Sequence, residues 1–180
     1  MTKNKQIIIN VLRIAIPVLI TVLWLGFIYS NSLKSGEESG AQSGQVHKVV
    51  NEVAQGVGIE KPISEHLVRK SAHFIEFAVL GLFICADIWA LRVAALTKKL
   101  YVSAPLLLCS VPVCALLASV DEFLQRFSDS RGPSLKDVLL DTSGSAAATV
   151  IFIFAFIIIY CIYKKIKLNN KSYTYEKTDC

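Results

Sequence analysis

Three pairs of polar side chains recur at one-turn spacing in this chain, and each pair borders an apolar run. The pairs are His73 with Glu76, Glu122 with Gln125, and Asp137 with Asp141. Side chains three or four positions apart lie on one face of a helix. Ionisable groups are costly beside hydrocarbon and are usually kept for pairing, for a polar cavity or for ligand contact. The three pairs therefore predict a polar site where helices meet the membrane surface.

Several cations accompany these acids and predict a rim of positive charge around the site. They are Arg69, Lys70, Arg126, Arg131 and Lys136. A guanidinium group makes paired hydrogen bonds to phosphate oxygens. The cations therefore favour an anionic ligand such as a phosphate or pyrophosphate headgroup. The candidate ligand-binding residues are Arg69, Lys70, Gln125, Arg126 and Arg131.

The clustered acids and the histidine support three interpretations, which the sequence leaves open. Imidazole and carboxylates support general acid–base catalysis, and the candidate catalytic residues are His73, Glu76, Glu122, Asp137 and Asp141. The same groups could hold a divalent cation, for which Mg²⁺ or Mn²⁺ is more natural than zinc because oxygen ligands predominate. The third interpretation is a network of salt bridges and hydrogen bonds that only holds helix ends together.

Known catalytic motifs give no support for a specific reaction. The sequence has no serine nucleophile motif and no P-loop. Only one of its three histidines lies in a polar cluster, so a two-histidine phosphatase pattern is missing. Its five cysteines show neither disulfide nor metal spacing. Non-enzymatic binding is therefore slightly favoured over catalysis, and the question of enzyme or binder stays open.

The composition predicts an all-α polytopic membrane protein. Of 180 residues, 53% are hydrophobic and 18% are charged, whereas about a quarter are charged in soluble domains. A helix needs about 20 residues to cross a bilayer. The four apolar runs are 7–29, 73–91, 100–120 and 138–163. Residues 1–168 are expected to form one membrane domain, and 169–180 a flexible tail. Pro105 and Pro112 predict a bend in the third span.

The cations near the span ends predict both termini in the cytoplasm. With the N-terminus inside, ten Lys and Arg side chains are cytoplasmic and eight are external, and cytoplasmic loops favour such residues. The first span is interpreted as a signal-anchor because it is long and no small-x-small site follows it. Both polar clusters then face outward. The net charge of +5 indicates inner-leaflet anchoring, and no nucleic-acid partner is expected.

A short amphipathic helix is predicted between the first two spans. Residues 31–63 form the one long connection, and its polar, turn-rich beginning over 30–40 predicts a loop. Valines then recur at helical spacing over residues 46–57. Gly56, Gly58 and Pro62 end the helix. Two interpretations remain equal: a lid packed on the spans, or a helix that enters the lipid headgroups. Ser64 is expected to cap a helix that continues directly into the second span.

The ordered motifs resemble those of the VanZ-like family of bacterial membrane proteins. They are Arg-Lys-Ser-Ala-His-Phe-Ile-Glu at 69–76, Asp-Glu-Phe-Leu-Gln-Arg-Phe at 121–127, Arg131, and Lys-Asp-Val-Leu-Leu-Asp-Thr-Ser-Gly at 136–144. The resemblance covers roughly residues 20–160, including the aromatic helix end at 24–32. Two departures are evident: Asp141 stands where the family pattern has Asn, and Ser-Asp-Ser precedes Arg131 where the pattern has Pro-Gly.

This resemblance implies a fold, a compartment and an antibiotic context, without a reaction. The expected protein lies in the cell membrane and acts at its outer face, where it lowers susceptibility to the glycopeptide teicoplanin. Its expected partners are the bilayer and an anionic lipid, a lipid-linked wall precursor or a lipoglycopeptide antibiotic, and a divalent cation is the candidate cofactor. The alternatives are an enzyme acting on a lipid-linked envelope substrate and a purely structural protein.

Overall fold

Six helices make up the part of the chain that the computed structural model describes, namely residues 3–34, 36–58, 61–94, 104–128 and 134–176. They are α1 (Lys3–Ser32), α2 (Gly36–Gly56), α3 (Glu65–Ala94), α4 (Ala104–Leu108), α5 (Ser110–Leu124) and α6 (Leu135–Glu176). A 3₁₀ turn over Gln125–Phe127 follows α5, and these described segments contain no strand. The predicted all-α class is confirmed.

Four stretches are long and apolar enough to cross a membrane, as predicted. They are Asn4–Ser32, Glu65–Val93, Pro105–Phe127 and Leu135–Lys167. The first, second and fourth extend past the predicted bounds at both ends because their helices continue through the polar flanks. The third begins at Pro105, and residues 100–103 lie outside the described part. The protein is therefore a multi-pass membrane protein.

Helix α3 lies at the centre of the bundle and contacts α1, α5 and α6. The buried core between them consists of Ile28, Phe77, Leu80, Ile84, Cys114 and Ala118. Small residues let α3 and α6 approach closely, as the sequence indicates. An added Cβ at Gly81 would lie 3.0 Å from the Cα of Ser145, and one at Gly144 would lie 2.3 Å from the carbonyl oxygen of Phe74.

The third span is divided at Cys109, between α4 and α5, near the prolines from which a bend is predicted, and the bend itself stays a prediction. Pro112 has no N–H to donate to the preceding turn. The Cys109 N–H makes a tighter, 3₁₀-type bond to the Leu106 carbonyl at 3.2 Å. The Ser110 hydroxyl donates to the carbonyl of Leu107 at 2.7 Å and lies 2.7 Å from the hydroxyl of Thr149 in α6. The side chain of Ser110 therefore links the junction of α4 and α5 to α6.

The loop predicted over residues 30–40 is wrong over most of its length, because α1 continues to Ser32 and α2 begins at Gly36. Contacts with the start of α3 outweigh the poor helix propensity of this glycine- and serine-rich stretch. The buried Ser43 hydroxyl donates to Glu65 at 2.6 Å. Further along α2, Asn51 accepts a hydrogen bond from the Ile63 N–H at 2.8 Å. These bonds fix α2 on the segment that leads into α3.

The ends of the long helices partly follow the predicted boundaries. The Ser64 side chain accepts a hydrogen bond from the Leu67 N–H at 3.3 Å, so it caps α3, which then runs unbroken into the second span. Helix α6 continues to Glu176, past residue 169, where the tail was expected to begin. The last four residues of the expected tail lie outside the described part of the chain, and its flexibility stays a prediction.

Candidate functional site

A polar cavity opens where α3, α5 and α6 end on the same side of the bundle. The cavity has a volume of about 60 Å³, which is enough for on the order of four to six waters. Its lining residues are His66, Arg69, Lys70, His73, Glu122, Gln125, Asp137, Leu140 and Asp141. Seven of the ten residues predicted for the site therefore line one cavity.

Acidic and basic side chains lie at different depths in this cavity. The carboxylates of Glu122 and Asp141 are buried at its base, with 5% and 2% of their surface exposed. Arg69 is exposed at the mouth, and the side chain of Lys70 is 37% exposed. The basic rim can bind an anionic group directly. The acidic floor can hold a cation that then binds the same anionic group.

One ion pair joins the rim across two helices. The Lys70 ammonium in α3 lies 2.8 Å from the Asp137 carboxylate in α6, and the two side chains are 37% and 38% exposed. A pair this exposed contributes about 0–1 kcal/mol to stability. Its main effect is to fix the position of the Lys70 charge at the cavity mouth.

Two further side chains are held by hydrogen bonds that define the shape of the floor. One oxygen of Glu122 accepts a short hydrogen bond from the backbone N–H of Ser134, the residue before α6. The Gln125 amide donates to one oxygen of Asp121 at 3.1 Å. Glu122 therefore fixes the start of α6, and Gln125 orients a neighbouring carboxylate.

Glu76 belongs to the polar cluster although it does not line the cavity. Its carboxylate lies 3.9 Å from the Nδ1 atom of His73 and interacts with Asn31 and Lys34 at the end of α1. The indole N–H of Trp24 donates to the Glu76 carbonyl at 3.0 Å. The aromatic end of α1 therefore supports the helix turn that carries His73 and Glu76.

The remaining predicted residues are not placed in the cavity. The Arg126 guanidinium lies 5.6 Å from the ring centroid of Phe123, and its side chain is exposed. Arg126 therefore stacks on the outer surface of α5, away from the lining. Arg131 lies outside the described residues.

Sequence reasoning did not assign a role to Asp121, which is completely buried. Its carboxylate, that of Asp141 and the imidazole of His73 each offer one ligand atom, and these three atoms lie within 4.8 Å of one another. The available signal was the four-residue spacing from Asp121 to Gln125, which places both on one face of α5. The spacing from Glu122 to Gln125 obscured it.

Comparison with known proteins gives one match, which covers the whole site. The profile of the VanZ/LLP1 family matches residues 17–159. The chain belongs to the VanZ/LLP1 family. No curated protein and no solved structure matches this VanZ/LLP1 member. The matched range includes every residue that lines the cavity, so the acidic floor and the basic rim belong to the VanZ/LLP1 domain.

Proposed function

We propose that this VanZ/LLP1 protein binds the phosphate group of an anionic lipid or lipid-linked wall precursor at the outer membrane face, and so lowers susceptibility to teicoplanin. The observation that carries the proposal is the placement of Arg69 and Lys70 at the mouth of a polar cavity located at the ends of three spans. Membrane proteins recognise lipid headgroups through basic pockets between spans near the surface.

The size of the cavity supports a phosphate group as the part of the ligand that enters. A space of about 60 Å³ is well below the roughly 300 Å³ of the smallest drug-sized pockets. A sugar or peptide attached to the phosphate would remain above the rim. The acyl or prenyl chains would lie along the exposed apolar sides of the spans, where Leu139, the residue before the lining residue Leu140, is 61% exposed.

Loss of both rim cations is expected to weaken lipid binding strongly. Each hydrogen bond to a charged group contributes about 1.5–3 kcal/mol, and 1.4 kcal/mol is a factor of ten in affinity. The R69A/K70A double variant should therefore bind phosphatidylglycerol and undecaprenyl diphosphate at least about tenfold more weakly. Native mass spectrometry of the purified protein with each lipid measures the bound fraction.

The matched control is Arg92→Ala, an exposed cation at the opposite end of α3. It should bind both lipids as the wild type does. Equal binding by R69A/K70A and the wild type would contradict the proposal. In cells, expression of the wild type should reduce teicoplanin susceptibility more than vancomycin susceptibility, and R69A/K70A should lose the effect at unchanged protein abundance. A purely structural role predicts instead that His73→Ala lowers abundance.

Catalysis on the same headgroup is the second candidate function. The close approach of His73, Asp121 and Asp141 favours it, because an imidazole and two carboxylates support acid–base or metal-assisted chemistry. Incubation of the purified protein with the lipid-linked precursor, followed by mass spectrometry, separates the two functions. An unchanged precursor mass supports binding, whereas a product that the wild type forms and a correctly folded Glu122→Gln variant does not form establishes an enzyme.

A further inference from the structure

Three helices each bring one side chain of a metal-ligating type together beside the cavity. These are His73 of α3, Asp121 of α5 and Asp141 of α6, and their ligand atoms lie within 4.8 Å of one another. Asp121 is 0% exposed and Asp141 is 2% exposed. An imidazole nitrogen and two carboxylate oxygens from separate helices therefore converge on one buried point.

Asp141 supplies an independent sign that this point receives a ligand. Its Oδ1 atom is buried and has no hydrogen-bond partner among the described residues, and the side chain lines the cavity. A buried carboxylate oxygen without a donor or a cation is strongly unfavourable. A second carboxylate nearby adds repulsion, which a bound cation removes.

We propose that His73, Asp121 and Asp141 bind one divalent cation of the Mg²⁺ and Mn²⁺ class. Oxygen ligands suit these ions, and the single imidazole favours Mn²⁺ over Mg²⁺. With ligand bonds of about 2.1 Å, adjacent ligands of an octahedral ion lie about 3.0 Å apart. The three atoms, now within 4.8 Å of one another, therefore need to draw together by up to about 1.8 Å, through side-chain rotation and small shifts of the helix ends.

The surroundings of the three ligands suit an octahedral ion. Three protein ligands leave three positions that face the cavity, and its space holds the waters that these ions retain. The Gln125 amide, which donates to Asp121 at 3.1 Å, orients that carboxylate as outer hydrogen bonds do in metal sites. Glu122 remains a positioning residue because its carboxylate accepts from the Ser134 N–H.

The bound ion gives the cavity a second positive contact for a phosphate group. Arg69 and Lys70 would contact the phosphate from the mouth while the ion replaces its waters with phosphate oxygens from below. This step rests on the proposed function, since it makes the ion a bridge between the protein and a phosphate-bearing lipid. Binding of the ion itself depends only on the three ligands.

Titration of Mn²⁺ into EDTA-treated protein in nanodiscs of phosphatidylcholine tests the site. Electron paramagnetic resonance measures the loss of free Mn²⁺, and calorimetry gives the affinity. The wild type should bind one equivalent, and Asp141→Asn and His73→Gln should each bind at least tenfold more weakly. Asp87→Asn, in α3 and bonded to Thr21 at 2.7 Å, is the matched control and should bind normally.

Thermal unfolding gives a readout that a merely structural role would not produce. Mn²⁺ should raise the melting temperature of the wild type and of Asp87→Asn, and leave that of Asp141→Asn unchanged. Without metal, Asp141→Asn should melt no lower than the wild type, because it removes the charge of a buried carboxylate. The site is overturned if the folded wild type binds no Mn²⁺. It is also overturned if Asp141→Asn and His73→Gln bind Mn²⁺ with the same affinity as the wild type.

The same preparation separates this site from the proposed function. Phosphatidylglycerol binding is measured with Mn²⁺ and with EDTA. Mn²⁺ binding without any lipid binding upholds the metal site and removes the proposed function. Lipid binding that is identical in EDTA, with no Mn²⁺ bound, upholds the proposed function and removes the metal site.

Discussion

At the scale of single residues, the contact between Gly144 and Phe74 determines how closely α3 and α6 approach at the cavity. A Cβ at position 144 would lie 2.3 Å from the Phe74 carbonyl oxygen, so the backbones must separate to admit it. We expect Gly144→Ala to lower stability by about 1–3 kcal/mol, the usual cost of overpacking. Thermal unfolding in detergent measures the change.

The control for this substitution is Gly26→Ala, in the middle of α1. An added Cβ there meets nothing within 4 Å, and alanine is a better helix former than glycine by about 1 kcal/mol. Gly26→Ala should therefore melt at or above the wild-type temperature. A Gly144→Ala protein as stable as Gly26→Ala would show that the two helices separate without cost.

The sequence predicts well which residues meet at the cavity. It predicts less well what each of these residues does there. Helical spacing places His73 with Glu76 and Asp137 with Asp141 at the helix ends, and His73, Asp137 and Asp141 do line the cavity. The direction of a side chain depends on its neighbours across the bundle. Glu76 interacts with Asn31 of α1, a contact that no spacing along α3 could indicate.

At the scale of elements, helix α2 is attached by polar contacts and leaves its valines uncovered. Both His47 and Asn51 lie within 3.3 Å of the Ile63 carbonyl, while Val49 and Val53 are 59% and 62% exposed. Of the two interpretations from the sequence, this arrangement favours entry into the headgroups. A fluorophore on a cysteine at position 53 should show blue-shifted emission and quenching by headgroup-depth nitroxide lipids.

The matched position on the polar side of the same helix is Lys48, which is exposed. A fluorophore there should emit as in water and resist quenching by nitroxide lipids. Cys109 and Cys161, which are exposed, and the C-terminal Cys180 are replaced in both proteins, whereas Cys85 and Cys114 are buried and can remain. Equal quenching at positions 48 and 53 would contradict the proposed orientation of α2.

The elements themselves were predictable where local signals are strong. Apolar length indicates the four spans, and Pro112 indicates the division between α4 and α5, because both are local consequences of bilayer thickness and of a missing N–H. The start of α2 was not predictable. Its first turns depend on tertiary contacts such as the bond from Ser43 to Glu65, which outweigh local propensity.

At the scale of the whole molecule, one polar cavity lies at one end of an apolar bundle. The cavity, helix α2, the end of α5 and the start of α6 all belong to the same end, whereas the end of α3 and the start of α4 belong to the other. The orientation of the whole protein in the membrane therefore determines which side the cavity faces. It decides whether the proposed ligand is met outside the cell or within it.

We expect the cavity to face outward and both termini to face the cytoplasm. Four spans place both termini on one side, and Lys98, Lys99 and the Lys-rich end of α6 favour the cytoplasm. Single cysteines replace Leu96 and Ser130 in a protein that lacks Cys109, Cys161 and Cys180. In intact cells an impermeant maleimide should label position 130 and spare position 96, which reacts only after permeabilisation. Labelling of position 96 alone would reverse the orientation and place the acidic floor and its proposed metal ion on the cytoplasmic side, away from any contact with teicoplanin.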